Sequence, residues 1–120
     1  MALSGKRVLV VEDESLVSML IEEFLEDIGC TVAGVAGRLE EAAKLAATLA
    51  VDLAVLDINL DGTPSYAIAE TLGQRGIPFV LATGYGGTAL PAALQSAHVL
   101  TKPFTKDQLE AALAAASTGG

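Results

Sequence analysis

The segment Asp52-Leu53-Ala54-Val55-Leu56-Asp57 sets four consecutive apolar residues between two carboxylates. A strand turns successive side chains to opposite faces, so an unbroken apolar run must be covered on both sides. That requirement selects a central strand of a parallel sheet packed between two layers of helices. It excludes a sheet with one wet face, where every second residue would be polar.

The rest of the chain repeats this unit. Arg7–Val11 is another short apolar run, and Thr31–Ala36, Ile77–Ala82 and Ala97–Thr101 read as three further strands. Between them the periodicity becomes helical. Ser15–Ile28 carries Val17, Leu20, Ile21, Phe24 and Ile28 on one stripe, and Gly29 follows as a C-terminal cap. Leu39–Ala50 predicts an alanine-rich helix with Glu40, Glu41 and Lys44 on its polar face, and Ser65–Leu72 a short one closed by Gly73. The stretch from Gly84 to Pro91 is poor helix material and predicts a mobile loop, leaving only a short helix near Pro91–Gln95. Thr105 and Gln108 form a capping-box pair that opens a last helix, Lys106–Ala116, with Leu109 and Leu113 facing inward. Five strands alternating with five helices predict one doubly wound α/β domain over residues 1–116, a five-stranded parallel sheet with helices on both faces, and a flexible tail at 117–120.

Composition narrows the function classes. The 120 residues are 52% hydrophobic and 18% charged, enough for one packed core and too ordered a mixture for wholesale disorder. Fifteen acidic residues against seven basic give a net charge of −8, which leaves few cations to displace counterions from nucleic acid or to hold an anionic membrane surface. A single cysteine, Cys30, excludes an intrachain disulfide framework and a cysteine-based zinc cluster, and reads as a small buried hydrophobe. No apolar run approaches a membrane span, and Val8–Val11 stops at Glu12-Asp13-Glu14 before it could serve as a signal peptide, so the expected location is the cytoplasm.

Doubly wound sheets bind ligands beyond the carboxyl ends of their strands, where the strand order reverses. Glu12 and Asp13 follow the first strand, Asp57 ends the third, Thr83 follows the fourth, and Lys102 follows the fifth. Alone, Asp13 or Ser15 could cap a helix, Thr83 could be a loop hydroxyl and Lys102 a solvated lysine. Asp57 has no nearby helix to cap. Together they bring three carboxylates, a hydroxyl and an ammonium to one edge. Crowded carboxylates need a counter-ion, and oxygen-only ligands favour Mg²⁺. A cation with a fixed lysine and a hydroxyl can hold a phosphoryl group in transfer, and a carboxylate such as Asp57 can accept it as an acyl phosphate.

The blocks Val10-Val11-Glu12-Asp13-Glu14, Val55-Leu56-Asp57-Ile58-Asn59-Leu60, Ala82-Thr83-Gly84-Tyr85 and Thr101-Lys102-Pro103-Phe104 resemble the receiver domain of two-component response regulators, in order and over essentially the whole chain. The resemblance implies a flavodoxin-like sheet of strand order 2-1-3-4-5. It implies Asp57 as phosphoacceptor from a phosphohistidine on a sensor histidine kinase or histidine phosphotransferase. It implies Mg²⁺ held by Asp13, Asp57 and the backbone carbonyl of Asn59, with Glu12 binding directly or through water. Thr83 and Lys102 would each meet a phosphoryl oxygen, and the Lys102–Pro103 bond would be cis. The output would pass through protein contacts or the chain would act as a phosphate sink; a receiver-fold binding module that signals without phosphorylation is the alternative, against which the intact Asp57, Thr83 and Lys102 stand.

The chain departs from the family pattern at three places. The acidic pair is Glu-Asp where Asp-Asp is commoner. Val99 stands where the family often has a switching aromatic. The Thr-Gly-Tyr-Gly-Gly loop resembles that of a subset of stand-alone receivers, and Tyr85 is expected to supply the missing aromatic, moving together with Thr83. Asn59-Leu60-Asp61-Gly62-Thr63 looks like the phosphatase motif of haloacid dehalogenases, but Asn59 stands where the nucleophile belongs and cannot form an acyl phosphate. His98 falls away from the acidic edge and is expected to be structural.

Overall fold

In the computed structural model, which describes residues 3–84, 90–95 and 97–119, the apolar run forms strand β3, Leu53–Asp57, buried along its whole length. It sits between β1 (Arg7–Val11) and β6 (Phe79–Thr83) in a five-stranded sheet of order β2-β1-β3-β6-β7, with β2 at Thr31–Ala36 and β7 at His98–Thr101. All four pairings are parallel. Counting only these five strands, the order is the expected 2-1-3-4-5.

Alternation along the strands divides the core into two layers. Leu9, Val11, Ala54 and Leu56 face one way, onto α2 (Leu39–Thr48) and α3 (Tyr66–Gln74). Val8, Val10, Leu53 and Val55 face the other, onto α1 (Ser15–Ile28) and α4 (Lys106–Gly119). Both faces of the central strands are therefore dry, which is why their sequences lack polar alternation.

Helix ends follow local chemistry. Gly29 is left-handed at φ 104°, and the Cys30 N–H reaches back to the Leu25 carbonyl to close α1. The capping box is formed as expected. Thr105 N–H donates to Gln108 Oε1 at 2.8 Å, and Gln108 N–H donates to Thr105 Oγ1 at 3.1 Å. Cys30 is buried, and its Sγ donates to the Leu3 carbonyl at 3.4 Å. Burial and the negative charge of Glu110 push its thiol pKa up.

Several expectations are corrected. Gly73 does not close α3, which runs through it to Gln74; Gly76 does so, at φ 71°, with Ile77 N–H donating to Leu72 O at 2.9 Å and Gly76 N–H to Gly73 O at 3.0 Å. The fourth sheet strand starts at Phe79, past Pro78, which lacks an N–H. The last helix runs on to Gly119, beyond the expected end at Ala116. The short helix near Pro91–Gln95 is a single 3₁₀ turn, Ala92–Leu94, so four α-helices are present among the described residues, not five. Two strands were not foreseen: β4 (Asn59–Leu60) and β5 (Thr63–Pro64) form a small antiparallel hairpin. Its turn is Asp61-Gly62, with φ values of 50° and 83°, the backbone that an Asp-Gly pair adopts readily between two strands.

Candidate functional site

The order reverses between β1 and β3, so the residues leaving these two strands share one corner. Glu12 and Asp13 follow β1 directly and Asp57 ends β3. Carboxylate oxygens of all three lie within 4.8 Å of one another. Glu12 and Asp57 are buried, while Asp13 is open to solvent. From the end of β7, Lys102 Nζ donates to Glu12 Oε1 at 2.7 Å and to Asp57 Oδ2 at 2.9 Å. Three of the four remaining carboxylate oxygens are held by backbone amides. Glu14 N–H donates to Glu12 Oε2 at 3.1 Å, Asn59 N–H to Asp57 Oδ1 at 3.0 Å, and Asp61 N–H to Asp13 Oδ2 at 2.8 Å. The three carboxylates are thus oriented from different elements before any ligand arrives.

Thr83 ends the neighbouring strand β6, one step past Ala82, the register partner of Asp57. It is buried, and its carbonyl accepts the Lys102 N–H at 2.7 Å, which fixes the lysine backbone to the strand end. The Lys102–Pro103 peptide bond is cis. Val99 lies exposed in β7. Tyr85, expected to move with Thr83, lies outside the described residues, as does most of the Gly84–Pro91 stretch. His98 opens β7 and pairs in register with Val80, away from the acidic corner.

The electrostatics are those of a site built for added positive charge. Burial pushes the Glu12 pKa up from 4.5 to about 7, against the hydrogen bonds from Lys102 and the Glu14 amide; the negative charge of Asp57 adds to the rise. Burial pulls the Lys102 ammonium down, but its bonds to Glu12 and Asp57 outweigh that and leave its pKa raised. An acid whose pKa is raised on folding holds its proton more tightly in the folded state, so stability present below the unfolded pKa is lost as pH climbs through the folded one. The thermal midpoint of the metal-free protein is therefore expected to fall between pH 4.5 and about 7, and Glu12→Gln to remove that fall. A melting series across this range, wild type against variant, checks it.

The donor set fits a hard divalent cation. It is all oxygen and partly open to solvent, and one oxygen of each carboxylate lies within 4.8 Å of the others. A cleft of about 570 Å³ starts at Asp13, Asp57 and Lys102 and continues over Val17, Leu20 and Phe24 of α1 to Phe104. Its lining joins acidic and apolar side chains.

Residues 8–114 match the family model of the response regulator receiver domain, and the chain belongs to that family. It is similar to SdrG from Sphingomonas melonis Fr1, with a TM-score of 0.82 and 39% identity over 97% of this chain and 98% of that one. SdrG in its BeF3-activated conformation aligns with a TM-score of 0.80 at 37% identity, covering 96% of this chain and 98% of that one. Among curated relatives, the transcriptional regulatory protein PdtaR of Mycobacterium tuberculosis is 33% identical over 110 residues, which is 87% of this chain and 53% of PdtaR. The chain thus spans about half the length of that relative. Among the described residues no helix is long and apolar enough to cross a membrane.

The hairpin and Ser65 escaped the sequence reading. Ser65 is fully buried at the start of α3, and its Oγ–H donates to the Asp57 carbonyl. The Asp61-Gly62 pair was the available signal for the hairpin, since Asp-Gly marks a two-residue turn.

Proposed function

We propose that this chain is a phosphoacceptor response regulator: Asp57 takes a phosphoryl group from a phosphohistidine, with Mg²⁺ in the acidic corner. The observation that carries the reading is the joint grip of Lys102 Nζ on Glu12 and Asp57 beside a third carboxylate. Ionisable groups shifted by burial and by a specific charge partner cluster at functional sites, and this corner lies where a doubly wound sheet binds its ligand.

In the transfer, an Asp57 carboxylate oxygen bonds to phosphorus while the phosphorus–nitrogen bond breaks and its electron pair returns to the donor imidazole. The product is an acyl phosphate on Asp57. Asp13, Asp57 and the Asn59 carbonyl would hold Mg²⁺, with Glu12 beside it, and the ion would supply charge neutralisation for the phosphoryl oxygens. Lys102 leaves the carboxylates to meet one of those oxygens, and the Thr83 hydroxyl meets another. Attack by water on phosphorus then restores the carboxylate and releases phosphate, so the chain promotes both its own phosphorylation and its own dephosphorylation. Movement at Thr83 and Tyr85 carries the change to a partner; the alternative output is removal of phosphoryl groups from a shared kinase. The BeF3-activated conformation of the similar SdrG supports this reading, because beryllofluoride imitates a phosphoryl group on a carboxylate. A cytoplasmic location is part of the same proposal.

The donor protein docks on α1, where Leu16 is 81% and Met19 63% exposed next to the apolar wall of the cleft. Replacing both by alanine is expected to slow transfer from a phosphorylated histidine-phosphotransfer protein by about tenfold, while labelling by a small-molecule donor is unaffected. Rapid-quench transfer assays with the two donors decide it; equal rates for wild type and variant with the protein donor would contradict the docking face.

A further inference from the structure

We propose that Ser65 is a positioning residue, the clamp that holds the 59–64 hairpin so that its amides can orient two of the three acidic side chains. The inference rests on the phosphoacceptor reading of the corner and adds a residue to it.

Ser65 occupies the N-cap position of α3, where a serine oxygen ordinarily accepts a hydrogen bond from an amide of the first helical turn. Here it makes no such bond. The hydroxyl points upstream and donates to the backbone carbonyl of Asp57, while the Ser65 N–H donates to the Ile58 carbonyl at 2.8 Å. These two bonds close the neck of the loop. Above the neck, Asn59 pairs with Pro64 and Leu60 with Thr63 in the hairpin. From inside the loop come the two amides already described, Asn59 N–H on Asp57 Oδ1 at 3.0 Å and Asp61 N–H on Asp13 Oδ2 at 2.8 Å.

A two-stranded hairpin of four paired residues has little stability of its own. Leu60, 2% exposed, pins one strand of it to the core, and the neck fixes its base, with Ile58 N–H on Ala82 O at 2.9 Å and Ser65 fully buried on the other side. Without the hydroxyl, the Asp57 carbonyl loses its side-chain donor at the very residue that carries the reacting carboxylate. The loop then loses one of its two closing bonds. Asn59 and Asp61 would move together, because both belong to the closed segment. Partners that orient ligands from behind typically matter by ten- to a hundredfold in metal affinity.

The test compares wild type with Ser65→Ala, and with Ser65→Cys, which keeps a side chain of similar shape but a far weaker donor. In the metal-free protein, amide hydrogen exchange of Asn59 and Asp61 is expected to speed up by about tenfold or more in Ser65→Ala, with Val10 and Leu81 amides at the sheet centre unchanged. Titration with Mg²⁺ alone is expected to show about tenfold weaker binding. If Ser65→Ala does not fold, the same comparison is read from Ser65→Cys, with smaller changes in the same direction. Loop and sheet amides accelerating in parallel, or loop amides and Mg²⁺ affinity both matching wild type, would overturn the proposal. Failure of wild type itself to bind Mg²⁺ would instead overturn the phosphoacceptor reading, and the exchange data would still decide whether Ser65 clamps the loop.

Discussion

Lys102→Ala is expected to destabilise the metal-free protein by about 2–3 kcal/mol at pH 8, and by clearly less at pH 5. Breaking a buried ion pair by removing one partner costs about 3–5 kcal/mol, and the partial access of water to this corner places it at or below the lower end. The Lys102 side chain is only 16% exposed, and those of Glu12 and Asp57 only 1% and 8%. Two adjacent carboxylates would be left without their cation. Burial already pushes Glu12 up to about 7, and Lys102 is a main force pulling it down, so its removal raises that pKa further. The sign then follows: a raised acid loses stability as pH rises, so the variant's deficit widens from acid to alkaline pH. Mg²⁺ should narrow the deficit by returning positive charge to the corner. The same substitution should slow phosphoryl transfer by about 10²–10³-fold at saturating Mg²⁺, the usual loss when one preorganised donor to a developing charge is removed. Thermal melts at the two pH values, with and without Mg²⁺, and a labelling time course check both parts. A stability deficit independent of pH would contradict the role given to Glu12.

Most of the sheet was legible because its chemistry is local or periodic. The apolar run Leu53–Leu56 demanded cover on both faces, and the alternation in β1 and β3 sorts Leu9 and Leu56 into one layer, Val8 and Val55 into the other. Thr105 and Gln108 lie three residues apart and cap each other, so their pairing needed no tertiary information. The acidic corner was legible for a topological reason: in a doubly wound sheet the ends of the first and third strands must meet.

What escaped depends on contacts that sequence spacing does not encode. Gly73 and Gly76 are equally good helix stops by composition. The choice fell to Gly76 because Ile77, one residue on, is buried in the core and its N–H closes on Leu72. Strands of two residues have no periodicity to read, and β4 and β5 are held by tertiary contacts, Leu60 in the core and the bonds of the neck. Ser65 looks like any N-cap serine in a sequence; only the fold shows that its hydroxyl is spent on Asp57. Sequence reasoning saw the charged groups of the site, with Thr83 and the Asn59 carbonyl, and missed the serine and the hairpin behind them.

The largest effect expected is that of Asp57→Asn, which keeps the shape of the side chain and removes its capacity to form an acyl phosphate. Asn59 N–H can still donate to the amide oxygen, so the loop that reaches over Asp57 should stay in place. The loss would then be one of chemistry and not of folding, and the variant should unfold cooperatively like wild type. The decisive measurement is intact-protein mass after incubation with a small-molecule phosphodonor, with Mg²⁺ or with chelator, for wild type and Asp57→Asn. A single phosphoryl adduct that requires Mg²⁺ and is absent from the variant is the predicted result. An adduct that persists in Asp57→Asn, or a wild type that forms neither an adduct nor a beryllofluoride complex, would contradict the assignment of Asp57 as the phosphoacceptor.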